Sequence, residues 1–317
     1  MEPMHTRLVY TKGVNRYTQN NLIGLCKRCD WFIHNKQIIN ITNTSSPKLI
    51  FICGYLAHVA IPYFVNNLLP TITNKFVLIV ASGDYTFPHG RGDIRYHEYK
   101  NCQKEIATLL KSDLLIHIFV ENLDTQHEKM SPILLGFSYP TFSIDLDSTE
   151  YYYKNYDTRK HLLFACHKTR GGQGQWRDRK LADDLCKGKW NSFTNFRENI
   201  DRTEFINELQ DSKFCLCVHG GGYDPCPRFF ESILYGAIPV IQHSPLDDAF
   251  KRFPVVFIDS LKENSLSKDF LESKHEELKG FYEGEKRREV LYKLTTNYWL
   301  GLINEKFCET TAIAGVP

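Results

Sequence analysis

Residues Lys213–Ser244 read "KFCLCVHGGGYDPCPRFFESILYGAIPVIQHS". An apolar run breaks into three glycines, passes two prolines into a helical pattern, closes at Gly236 and restarts as a second apolar run. Strand, glycine turn, helix, strand is the building unit of an α/β protein with a parallel sheet, so this stretch decides the fold class. It also presents free backbone N–H groups to an anion. A helix start leaves about four N–H groups unpaired and carries about half a positive charge. Glycines before it let a phosphate approach the backbone, and here Gly220, Gly221 and Gly222 supply that approach. Asp224 is placed to cap the helix and Pro225 to open it; Gly236 closes it. Arg228 and Glu231 are three apart and share a face near the helix start. The arginine can hold a diphosphate bidentately. The glutamate, one turn on, can accept hydrogen bonds from a ribose or sugar diol. An isolated R-x-x-E is equally a surface ion pair of little worth; the glycines, prolines and flanking strands favour the ligand.

Working outward, the same alternation fills the chain. In the first half the strands read "KLIFICGY" (Lys48 to Tyr55), "KFVLIVAS" (Lys75 to Ser82), "DLLIHIFV" (Asp113 to Val120) and "SPILLGF" (Ser131 to Phe137), with the clearest helix from His97 to Lys111. Runs this continuously apolar suit strands covered on both faces. The pattern lapses between Asp145 and Lys160. That places a boundary between an N-terminal Rossmann-like domain, 1–152, and a C-terminal one, 153–317. The second half offers the strands "HLLFACHK", "KFCLCVHG", "AIPVIQHS" and "PVVFIDS". Its helices are expected after Gln175, in "DRTEFINELQDS", in "PCPRFFESILYG" and from Glu283 to Phe307.

Composition excludes more than it assigns. With 317 residues, 42% hydrophobic and 24% charged, the chain is ordinary globular material for two cores. A net charge of +2 without a dense basic run argues against nucleic acid. Ten cysteines lie without a framework, and the lone C-x-x-C at Cys26 and Cys29 has no second pair at zinc-site spacing. Scattered thiols suit a reducing compartment. The start, "MEPMHTRLVYTKG", has no apolar h-region and no run approaches bilayer length, so a soluble, cytoplasmic protein is expected.

The segment "FCLCVHGGGYDPCPRFFESILYGAIPVI" resembles the donor-site signature of the exostosin-like glycosyltransferases, glycosyltransferase family 47. That family shows an F-C-L strand, a glycine loop, an R-F-x-E-[AS] helix and a G-x-[IV]-P-V-[IL] strand. Phe214, Cys215, Leu216, Gly220, Arg228, Phe229, Glu231, Ser232, Gly236, Ile238, Pro239, Val240 and Ile241 fit it. The upstream "RKHLLFACHKTRGGQGQWRDRKLADDL" resembles the family's preceding strand, basic loop and helix. The likeness runs from about Arg159 to Asp259 and fades in the first half. It implies a GT-B architecture, two Rossmann-like domains facing across a cleft, and an inverting transferase using a nucleotide sugar, a UDP-sugar being expected. Its partners would be that donor and a glycan or glycoprotein acceptor. Animal exostosins resemble membrane-anchored secretory proteins, whereas this chain reads as a soluble microbial or viral relative.

Lys168, Arg170, Arg177 and Arg179 lie in a loop after a strand end, where the donor's phosphates are expected. Tyr223 joins the donor loop. His219 either donates to the donor or hydrogen-bonds the turn. The base that takes the acceptor's proton is sought in loops of the first half. Asp84 in "SGDYTFPHG" ranks first and His58 in "GYLAH" second; His89, Glu121 and Asp124 are further candidates, and each is also an ordinary turn residue. No D-x-D follows a strand, "DLD" at Asp145 to Asp147 lying at the boundary. No metal and no other cofactor is expected, the helix start and arginines neutralising the leaving group. Two rivals stand beside the transferase: a non-catalytic nucleotide-sugar or glycan-binding module, and a GT-B-type epimerase.

Overall fold

The apolar runs become strands because residues buried on both faces need no alternation. In the computed structural model, which describes residues 6–7, 22, 24–83, 85–90, 101–137, 143–144, 153–168 and 176–313, Phe76–Ala81 is buried throughout. Strand β1 (Thr6–Arg7) is a two-residue ladder partner. A six-stranded sheet follows, built from β2 (Trp31–His34), β3 (Gln37–Asn40), β4 (Leu49–Cys53), β5 (Phe76–Ala81), β6 (Leu115–Val120) and β7 (Met130–Pro132) in the order β3-β2-β4-β5-β6-β7. Every pairing is parallel except β2 with β3. That edge hairpin is absent from the sequence reading. Its signal is two four-residue runs joined by Asn35–Lys36, with Asn35 at φ 59°, a conformation asparagine tolerates. Helices α1 (Ala57–Tyr63) and α2 (Gln103–Lys111) pack on this sheet.

Strand β8 (Ser143–Ile144) pairs with β1. The second sheet contains β9 (His161–Ala165), β10 (Thr194–Phe196), β11 (Ser212–Leu216), β12 (Ile238–Gln242) and β13 (Val256–Ile258), all parallel, in the order β10-β9-β11-β12-β13. In chain order that is 2-1-3-4-5, the doubly wound pattern whose direction reverses between β9 and β11. Ligands of such sheets bind outside the carboxyl ends of the strands at that reversal. Its helices are α3 (Trp176–Lys187), α4 (Arg202–Gln210), α5 (Cys226–Leu234), α6 (Asp247–Phe250), α7 (Lys268–Leu278) and α8 (Gly284–Tyr292). Asp201 caps α4, its side chain accepting from Glu204 N at 2.8 Å.

The chain divides into two compact units. One comprises Arg7–Phe142, Gly221–Asp224 and Thr295–Pro317; the other comprises Met1–Thr6, Ser143–Gly220 and Pro225–Leu294. The last helix, α9 (Thr296–Ile313), falls within the 153–317 assignment but packs on β5 and β6 of the first sheet, with Trp299 and Ile303 buried. Periodicity sees that a helix is amphipathic but not which sheet it covers. Among the described residues no helix is long and apolar enough to cross a membrane.

Candidate functional site

Helix α5 is fixed by its C-terminal end. Gly236 sits at φ 80°, and a Cβ there would lie 2.5 Å from Arg159 Nη2. Only glycine meets both conditions. The carbonyls leaving this helix are each satisfied. Arg287 donates to Ile233 O and Leu234 O, Arg159 to Tyr235 O, and the Tyr156 hydroxyl to Gly236 O. Two buried guanidinium groups thus complement the negative end of the helix dipole.

The other end is the reverse. Pro225 occupies the cap position, and no side chain caps the helix. This corrects the expectation that Asp224 caps it: the Asp224 backbone N–H instead donates to Asn122 Oδ1 at 3.1 Å. No acidic residue stands in the first turn, which carries Arg228. Cation against a positive helix end is unfavourable. The Nε and Nη1 atoms of Arg228 are shut from water with no hydrogen-bond partner. The groups acting on its charge are the thiols of Cys226, Cys215, Cys217 and Cys166, poor counter-ions while protonated. Burial holds Cys166 and Cys217 above the usual thiol range. A buried charged donor without an acceptor costs on the order of 1–3 kcal/mol or more. A bound anion removes that cost. Arg228 as a residue is only half-buried, which leaves part of it open to solvent.

Around this turn, Arg179 is a brace. From α3 its Nε donates to His219 O (3.1 Å), its Nη1 to Lys168 O (2.9 Å) and its Nη2 to Cys226 Sγ (2.9 Å). It ties the segments leaving β9 and β11 to the start of α5, at the reversal point of the sheet. Three of its donors are thus engaged within the protein, on two carbonyls and a thiol. Cys226 stands at φ 64°, a left-handed conformation costing about 1–3 kcal/mol in a residue other than glycine and persisting only where the surroundings impose it.

Glu231 is buried, and Arg202, from the first turn of α4, reaches it with Nη1 2.7 Å from Oε1. Burial raises the Glu231 pKa, against the downward pull of Arg202 and Arg228. Arg202 is absent from the sequence reading. Its only local signal is its place just inside the capped start of α4, and pairing across 29 positions leaves no trace in spacing. His219 is buried beside Asp178, with Nδ1 3.8 Å from Oδ2, and burial lowers its pKa. His167, at the end of β9, holds Nδ1 3.2 Å from Asp183 Oδ1; burial pushes it down to about 4. Lys168 and Arg177 are exposed, and Tyr223 is half-buried. Arg170 lies outside the described residues.

The three glycines are not equivalent. All are buried, but a Cβ on Gly222 would lie 2.6 Å from Asn122 Cγ. Its missing side chain makes room for Asn122, a steric reason for glycine here that the sequence does not show. Of the base candidates, Asp84 lies outside the described residues. His58 is half-buried on α1, its ring 6.2 Å from that of Tyr85. Glu121 and Asp124 are buried and hold turns: Glu121 Oε2 accepts from Ser82 N (2.6 Å) and Asp124 from His89 N (3.1 Å). Among the described residues no group of three or more His, Cys, Asp or Glu is placed to hold a metal ion.

Both sheets are Rossmann-like, and the second is doubly wound, with an uncapped helix start and the partnerless Nε and Nη1 of Arg228 at its reversal point. Residues 138–251 match the Exostosin GT47 domain, so this part of the chain is similar to the exostosin-like glycosyltransferases. No curated protein sequence matches the chain. Among solved structures, the chain is similar to the catalytic domain of starch synthase IV from Arabidopsis thaliana bound to ADP and acarbose. That likeness has 11% identity over 82% of this chain and 73% of that one, with a TM-score of 0.37, and carries no part of the argument.

Proposed function

We propose that the protein is an inverting, metal-independent glycosyltransferase. It moves a sugar from a nucleoside-diphosphate sugar, a UDP-sugar in the first instance, to a glycan hydroxyl. The observation that carries this reading is Arg228, whose Nε and Nη1 are buried without partners in the first turn of an uncapped helix. The donor's diphosphate supplies the acceptors those nitrogens lack, and the α5 dipole adds to the attraction. Glu231, oriented through Oε1 by Arg202, keeps its second oxygen for a ribose or sugar hydroxyl.

In the transfer, a base takes the proton of the acceptor hydroxyl as its oxygen attacks the anomeric carbon from the face opposite the diphosphate. The bond from that carbon to the phosphate oxygen breaks, and the electron pair leaves with the nucleoside diphosphate. Its charge develops against Arg228 and the α5 N-terminus, where fixed donors need no reorganisation. Asp84 is proposed as the base, with His58 second.

The test is incubation with a panel of nucleotide sugars and no acceptor. Slow release of free sugar is the expected result. Epimerised donor would make the protein an epimerase, and binding without turnover would make it a binding module.

A further inference from the structure

Asn122 follows β6 and is 1% exposed. Its Nδ2 donates to Gly83 O at 3.3 Å, and its Oδ1 accepts from Asp224 N at 3.1 Å. Gly222 lies against the same amide, with no room for a Cβ. These residues all belong to one compact unit. One short planar group therefore fixes two backbones, the turn after β5 and the glycine loop. The pairing needs a donor and an acceptor on one side chain of this length. Aspartate lacks the donor, and leucine lacks both. Gly222 is the complement, since any larger residue would have to displace an amide held by two hydrogen bonds. Further along the chain Cys226 is also held, by Arg179 at its sulfur, in its left-handed conformation.

We propose that Asn122 is a positioning residue for the donor loop. It sets the path of Gly222–Asp224, the residues that immediately precede Pro225 and α5 in the chain. This rests on the reading of Arg228 as the diphosphate ligand. The ligand class affected is any diphosphate, with or without a nucleoside.

The experiment is calorimetric titration of the full chain with inorganic pyrophosphate and with UDP, each variant held well below its measured melting temperature. Asn122→Ala and Gly222→Ala should each weaken both ligands by about tenfold, the scale of one lost hydrogen bond at the right place. The Gly222→Ala/Asn122→Ala double variant should bind several-fold more tightly than Gly222→Ala alone, because the added methyl occupies the space the amide vacates. A role confined to folding would let the double variant recover melting temperature without recovering affinity. That result, or wild-type affinity in Asn122→Ala, overturns the proposal. Arg228→Ala is run alongside. If it loses affinity while the Asn122 and Gly222 series keeps it, only this inference fails. If it binds as the wild type does, the reading of the donor site fails and this inference with it.

Discussion

Arg202 Nη1 lies 2.7 Å from Glu231 Oε1, and through that pair the carboxylate one turn beyond Arg228 is engaged from another helix. Glu231 is thereby held in one orientation. Arg202 also opposes the rise that burial imposes on the Glu231 pKa. Without Arg202 that pKa rises further, so the carboxylate reaches its protonated form at a higher pH. We predict that Arg202→Ala weakens nucleotide-sugar binding by about tenfold at neutral pH, a charge-assisted hydrogen bond being lost. The deficit should widen as pH falls toward 5. Affinity measured at pH 7.5 and pH 5.5 checks this; a deficit that stays constant with pH would show that Glu231 ionisation plays no part.

Asp84→Asn should lower turnover by at least about a hundredfold with donor affinity little changed, a positioned base contributing roughly 10²–10⁴. Asparagine suits turns as well as aspartate does. Normal turnover in that variant together with loss in His58→Ala would transfer the role to the histidine.

Activity should survive excess EDTA, because Arg228 and the α5 dipole meet the leaving charge. Loss of turnover that manganese restores would show that a divalent ion does this instead.

Stability should fall on mild acidification, and His167 should account for part of the fall. Burial holds both His167 and His117 at about 4, against about 6.5 in an unfolded chain. Between those values the unfolded state binds more protons than the folded one, so stability is full above about 6.5 and declines as pH drops toward 4. Replacing His167 with glutamine should make the decline shallower, with His117 and the other buried histidines still contributing. Denaturant midpoints at pH 7 and pH 5 decide it; a decline as steep as in the wild type would contradict the assignment.

Much of the scaffold is legible in the sequence because buried parallel strands are written as continuous apolar runs, and β4, β5, β6, β9, β12 and β13 all fall within the runs quoted. The β2–β3 hairpin and β10 are short, half-polar edge elements whose runs resemble loops. At the site, Arg228 stands out because charge, glycines and helix start are neighbours in sequence. The roles of Asn122 and Arg202 are set by partners 100 and 29 positions away, respectively, in Gly222 and Glu231. Spacing cannot carry such pairs. The same holds for Gly222, whose glycine answers to Asn122, and for Arg179, which reads as one more cation in a basic loop yet spends its donors on His219, Lys168 and Cys226.

The proposed donor site stands or falls with Arg228 as the ligand of the diphosphate. Calorimetric titration of Arg228→Ala with UDP and with inorganic pyrophosphate tests it most directly. Arg228→Ala should lose on the order of 2 kcal/mol, about thirtyfold, for both ligands, in a protein whose fold is intact, since the residue is needed for charge rather than packing. Unchanged affinity for both ligands would contradict it.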